Sequence, residues 1–158
     1  MSNLETAGDV VEVVKTRTFD APLSLVWRVW TEVEHRNQWW GRPGFTTLCE
    51  HDLRPGGKMS IHMQGPDTTV LISGTVEEVI ANERLVTAGV LEIDGVAAFN
   101  TRLDVAFAEH DGMTNVTVRH TYWNFAGDRN DMIDGASVGW TLQLDRLEAY
   151  LRAKCNPT

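Results

Sequence analysis

Asp52-Leu53-Arg54-Pro55-Gly56-Gly57-Lys58 joins two stretches of strand-like sequence. A phosphate-binding loop needs a strand-to-helix turn and a Lys-Ser or Lys-Thr ending. Here the glycines lie between strands, so the segment reads as a hairpin corner. Gly56 and Gly57 are expected to take positive φ, and Asp52 and Arg54 to tie the corner with a charge-assisted hydrogen bond. After the corner, Met59, Ile61 and Met63 alternate with Lys58, Ser60, His62 and Gln64. That is the period of a strand with one buried and one wet face.

Working outward, Val10 to Phe19 is rich in Val and Thr and reads as a strand. Pro22 stands where a helix would begin, and Leu23, Val26, Trp27 and Trp30 follow with helical spacing. A second short helix is expected over Val33 to Gln38, closed by Trp39-Trp40 and the breakers Gly41, Pro43 and Gly44. Strands are expected at Thr46 to Leu53, Lys58 to Gln64, Thr68 to Ile80, Arg84 to Glu92, Ala97 to Glu109 and Met113 to Trp123, with turns at Gly65-Pro66-Asp67, Asp94-Gly95 and His110-Asp111-Gly112. A long helix then runs to about Lys154 on Met132, Ala136, Trp140, Gln143, Leu144, Leu147 and Leu151, with Asp131 as its expected N-cap. An antiparallel sheet needs cover on its apolar face, and only this last helix is long enough to supply it. The fold class is therefore α+β: a curved antiparallel sheet of about six to seven strands gripping a long C-terminal helix, with two short helices after the first strand. Residues 1–9 read as a disordered leader, 10–154 as a single domain and 155–158 as a tail.

The chain has 158 residues, of which 42% are hydrophobic and 23% charged, as suits one globular domain with a sizeable core. Its net charge of −8 disfavours nucleic acid and anionic membrane surfaces, which demand clustered Lys and Arg. No apolar run approaches the roughly 18 residues of a membrane span, and residues 1–9 carry no basic-then-apolar signal. A cytoplasmic location is expected, with the two cysteines, Cys49 and Cys155, as free thiols.

The element order and its motifs resemble the START-like (helix-grip, SRPBCC) superfamily. Within it they resemble the family homologous to the C-terminal domain of the activator of the heat-shock-protein-90 ATPase. The residues that carry this are Phe19-Asp20-Ala21-Pro22 with Val26-Trp27, Trp39-Trp40-Gly41, the Asp52–Gly57 corner, Gly74 leading into Val76-Glu77-Glu78-Val79, Glu83-Arg84-Leu85, Gly139-Trp140, and Leu144-Asp145-Arg146-Leu147 with Leu151. The resemblance spans about residues 12 to 153 and implies the helix-grip fold and an internal cavity. The co-chaperone that gives the family its name carries an additional N-terminal domain. Here about nine residues precede the first strand, which on length alone counts against a chaperone-activating role.

Strand alternation supplies the expected lining of that cavity. Phe99, Thr101, Leu103, Val105 and Phe107 share one face, as do Val116, Val118, His120 and Tyr122, and Met59, Ile61, Met63, Val70 and Ile72 would join them. The candidate ligand-binding residues are Trp40, Met59, Ile61, Met63, Phe99, Leu103, His120, Tyr122, Ala136 and Trp140. Trp39 is a further wall candidate, and all these side chains could equally fill a dry core. Gly135 and Gly139 either let the long helix approach the sheet or leave room for a ligand. His120 and Tyr122 are polar on an otherwise apolar face, so either a neighbour satisfies them or they meet a ligand head group.

No metal is expected, since His35, His51 and His110 lack ligand spacing. No cofactor is expected, and there is no nucleophile elbow. Glu77 and Glu78 are adjacent in a strand and are expected on opposite faces. The leading reading is a binding protein for an apolar or amphipathic small molecule held between sheet and last helix. A second is a cyclase- or dehydratase-like enzyme of the same fold, with His120 and Tyr122, and Arg102 or Arg119, as acid or base. A third is a chaperone- or protein-interaction module, for which the acidic charge and two exposed tryptophans would count. A homodimer is carried as a further expectation.

Overall fold

The structure, a computed structural model, describes residues 10–155, so the expected leader over 1–9 and tail residues 156–158 lie outside the described residues. In chain order the elements are β1 (Val11–Phe19), α1 (Leu23–Thr31), α2 (Val33–Trp39), β2 (Thr46–His51), β3 (Lys58–Gln64), β4 (Thr69–Ile80), β5 (Arg84–Ile93), β6 (Val96–His110), β7 (Met113–Trp123) and α3 (Arg129–Cys155). The strands make one antiparallel sheet ordered β1-β7-β6-β5-β4-β3-β2. This is the expected α+β architecture, a curved sheet around a long last helix.

Strands β4 and β5 approach closely at a glycine pair. Gly74 stands opposite Gly89, and a Cβ on Gly74 would lie 1.9 Å from the Ala88 carbonyl oxygen, one on Gly89 2.2 Å from that of Ser73. Only paired glycines allow the two backbones so close. A bulge follows between Val76 and Glu78, which increases the local twist. The Asp52–Lys58 corner is fastened beside it: the Gly56 N–H donates to the Val76 carbonyl and the Val76 N–H to that of Gly57, both at 2.8 Å. The Arg54 Nε donates to Asp52 Oδ2 at 2.7 Å, as expected. Gly56 has φ +85°, but Gly57 does not take positive φ. Gly57 is required because a Cβ there would lie 2.0 Å from the Asp52 carbonyl oxygen.

The bulge also corrects the expectation for Glu77 and Glu78. The extra residue breaks the alternation, and both carboxylates join one arginine network on the sheet's outer face. Arg102 pairs with Glu77 at 3.1 Å, while Arg84 pairs with Glu78 at 3.6 Å and also binds Asp104. The start of α3 is likewise corrected: the Asp128 Oδ1 accepts the Asp131 N–H at 3.1 Å. Asp128 therefore caps the helix, and Asp131 lies inside its first turn.

The inner face carries the expected stripes, with Phe99, Thr101, Leu103, Val105, Phe107, Val116, Val118, His120 and Tyr122 all buried. The C-terminal half of α3 closes on this face through Leu144, Leu147 and Leu151. Trp30 and Trp39 are fully buried and meet edge to face, with ring centroids 4.8 Å apart. The Trp39 indole N–H donates to the Val29 carbonyl at 2.9 Å, so Trp39 belongs to the core. Trp27, Trp30, Trp39, Trp40, Trp123 and Trp140 are all buried or half-buried, which corrects the expectation of two exposed tryptophans. Arg36 is buried among them, its guanidinium 4.1 Å from the Trp40 ring centroid. Its Nε and Nη2 have no hydrogen-bond partner among the described residues.

The sheet has two edge strands, β1 and β2. Asn37 of α2 reaches β2, where its Oδ1 accepts the Cys49 N–H at 2.6 Å. Asp145 of α3 reaches β1 and pairs with Arg17 at 2.7 Å. Cys49 is buried and Cys155 exposed, both as free thiols.

Candidate functional site

The first half of α3 does not close on the sheet. Met63, Val70, Ile72, Leu91 and Phe99 face it across a cavity of about 310 Å3, with Trp40 and Phe45 at one end and Met132, Ala136 and Trp140 on the helix side. That volume is at the low end of small-molecule sites, which span about 300–1,000 Å3. Small side chains on α3 make the space, because Gly135, Ala136 and Gly139 stand where its second half carries leucines. At the mouth, the exposed Arg42 lies along these glycines. Its Nη2 donates to the Gly135 carbonyl, and its Nε and Nη2 lie 3.4 Å from where a Gly139 Cβ would be.

The wall segment from Trp40 to Arg42 is hung on α3. The Gln143 Oε1 accepts the Gly41 N–H at 2.7 Å. The Arg146 Nη1 donates to the carbonyls of Trp40, Gly41 and Arg42 at 3.3, 2.9 and 3.3 Å, and its Nη2 to that of Gln38 at 3.2 Å. One fork of donors thus satisfies carbonyls left over where α2 ends.

The polar interior centres on His120. An indole N–H can only donate, and that of Trp140 points at His120 Nδ1 at 2.8 Å. Nδ1 is therefore an acceptor, and the ring proton is on Nε2, facing the Thr101 hydroxyl. The Tyr122 hydroxyl lies 2.5 Å from the same Nδ1. Burial pushes the His120 pKa down to about 3. Burial pushes that of Tyr122 up, opposed in part by the Trp140 N–H. Near neutral pH both groups are uncharged, so they can give and take hydrogen bonds but are poorly matched to proton transfer. Arg102 and Arg119, the expected helpers, stand on the outer face, paired with Glu77 and Glu12 at 3.1 and 3.3 Å. Among the described residues no cluster of His, Cys, Asp or Glu could hold a metal.

Residues 20–152 match the family model described as Activator of Hsp90 ATPase homolog 1-like protein. The chain belongs to this family. Its fold is shared by an X-ray structure of a Nitrosomonas europaea protein, at 26% identity and a TM-score of 0.77, covering 91% of this chain and 96% of that one. A Mycobacterium smegmatis protein is similar at 23% identity and a TM-score of 0.74, covering 93% of this chain and 91% of that one. A solution structure from Arthrobacter aurescens is similar at 21% identity and a TM-score of 0.76, covering 96% of this chain and 90% of that one. No protein with a curated description matches significantly.

Of the candidate residues in this member of the Activator of Hsp90 ATPase homolog 1-like family, Trp40, Met63, Phe99, His120, Tyr122, Ala136 and Trp140 meet at the cavity. Met59, Ile61 and Leu103 do not: they are buried further along the sheet, beside a void of about 10 Å3, roughly the room one water needs. Arg42, Gln143 and Arg146 are absent from the sequence-derived set. Arg146 stood inside the family motif Leu144-Asp145-Arg146-Leu147, and its charge amid leucines on the buried face of a helix was the available signal. Among the described residues no helix is long and apolar enough to cross a membrane.

Proposed function

We propose that this protein binds an apolar or amphipathic small molecule between the sheet and the first half of α3. The observation that carries this is the cavity of about 310 Å3, walled by apolar side chains and opened by Gly135, Ala136 and Gly139. Each helix glycine costs about 1 kcal/mol of stability relative to alanine, and Gly135 and Gly139 serve no close approach to the sheet, since the atoms nearest a Cβ on either belong to Arg42. Among the described residues the large exposed apolar side chains are Val14, Leu48, Ile80, Ile93, Val96 and Val138; Ile93 and Val96 are cross-strand partners, and so small a patch favours a small ligand over a protein partner. The uncharged state of His120 and Tyr122 favours holding a ligand over transforming it.

The test is uptake of a neutral fluorescent probe, N-phenyl-1-naphthylamine, by wild-type protein and by Gly139→Leu. The nearest atoms to a Cβ added there belong to the far end of the flexible Arg42 side chain. The variant should fold with stability raised by up to ~1 kcal/mol, a melting shift of about 2–4 °C, and should lose probe affinity at least about tenfold. Unchanged uptake by the stabilised variant refutes the proposal.

A further inference from the structure

We infer that the ligand of this cavity is an amphipathic anion, its carboxylate held by Arg42 at the mouth and its apolar body inside. The inference rests on the cavity being a binding site and adds the chemistry of the ligand's polar end. The chain is acidic, with a net charge of −8, and its surface arginines are widely paired: Arg17 with Asp145, Arg54 with Asp52, Arg84 with Asp104, Arg102 with Glu77 and Arg119 with Glu12. Arg42 lines the cavity and, among the described residues, has no carboxylate within 4.0 Å. One of its five donors is spent on the Gly135 carbonyl, which pins the guanidinium at the mouth and leaves the others for a ligand. Its own carbonyl is held by Arg146, so the cation is positioned before anything binds, which lowers the ordering cost of binding.

The interior offers a charged group no equivalent. The polar atoms of His120, Tyr122, Trp140 and Thr101 bond to one another, and the Gln143 amide, whose Oε1 is taken by Gly41, carries no charge. A carboxylate buried there would lose its hydration without a counter-charge, whereas at the mouth it gains charge-assisted bonds while keeping water on one side. Asp131 lies on the same rim. It opposes an anion there and sets the strength of the selection.

The experiment displaces bound N-phenyl-1-naphthylamine with decanoate and, in parallel, with 1-decanol, at low salt. Arg42→Gln is expected to weaken decanoate about tenfold, the scale of one charge-assisted interaction, and to leave decanol within about twofold. Arg42→Lys should keep part of the preference, and Asp131→Asn should strengthen decanoate alone. Equal loss of decanoate and decanol in Arg42→Gln, or no loss of decanoate, overturns the anion inference while probe binding leaves the cavity reading standing. Failure of wild-type protein to take up the neutral probe overturns both.

Discussion

From Gln143 to Leu151, α3 meets the sheet through Leu144, Leu147 and Leu151, all buried. From Met132 to Trp140 the same helix crosses the same sheet and leaves about 310 Å3 unfilled. The helix is unbroken through both halves, and both lie over the buried face of the same sheet. Side-chain volume on the helix differs between the halves, and the unfilled space lies beside Gly135, Ala136 and Gly139 and not beside the leucines.

The sharpest way to break this contrast is to truncate one side chain in each half. Leu147 is fully buried, and Leu147→Ala should cost about 2–5 kcal/mol, the transfer loss plus a new cavity. Met132 is only half-buried against space that already exists, so Met132→Ala should cost under about 1 kcal/mol. Urea unfolding of both variants measures this, and equal losses would mean that the two halves are packed alike.

A second test concerns the polar group under the hollow half. His120 has its folded pKa at about 3, against about 6.5 in the unfolded chain. Between those values the unfolded chain binds a proton that the folded one refuses. Stability therefore falls as pH drops through that window, by up to about 1.4 kcal/mol per pH unit, and is unaffected by His120 above it. His51, also lowered by burial, and Asp104, lowered by its bond to Arg84, act in the same direction, so the quantity to measure is the difference between wild type and His120→Gln. Parallel stability curves from pH 6.5 to 4 would show that the imidazole is accessible to protons.

The smallest effect is expected at the packed end. Arg36 is buried with two donor nitrogens unpartnered among the described residues, and the indole faces of Trp30 and Trp40 lie against its charge. A desolvated cation–π contact is worth about 2 kcal/mol, and each unmet buried donor costs about 1–3 kcal/mol. Arg36→Met keeps the stem and should raise stability by about 1 kcal/mol in thermal unfolding. A loss of stability would mean that the aromatic cage more than compensates the charge.

The strand stripes and helix spacing were legible because periods of two and 3.6 are properties of the local chain, and they place His120, Tyr122, Phe99 and Trp140 on the correct faces. The bulge at Glu77 was not, since it is set by the pairing of β4 with β5. Asp128 and Asp131 offer the same capping chemistry, and the loop conformation alone chooses between them. Arg42 in a Gly-Arg-Pro-Gly loop looks like ordinary surface. Its place over Gly135 and Gly139 depends on a contact across 93 residues of chain. Met59, Ile61 and Leu103 share the stripe of the cavity residues, but periodicity identifies a face and not a position along it.

The side chains that tie the helices to the rims of the sheet have a consequence for the protein in a crowded solution. An open sheet presents unpaired backbone donors and acceptors at each end, and such edges recruit other strands. Here the outward Cys49 N–H is already bonded to Asn37, and β1 carries Arg17 locked to Asp145. The helices that shape the cleft therefore also act as guards of the sheet's two edges against strand-to-strand aggregation.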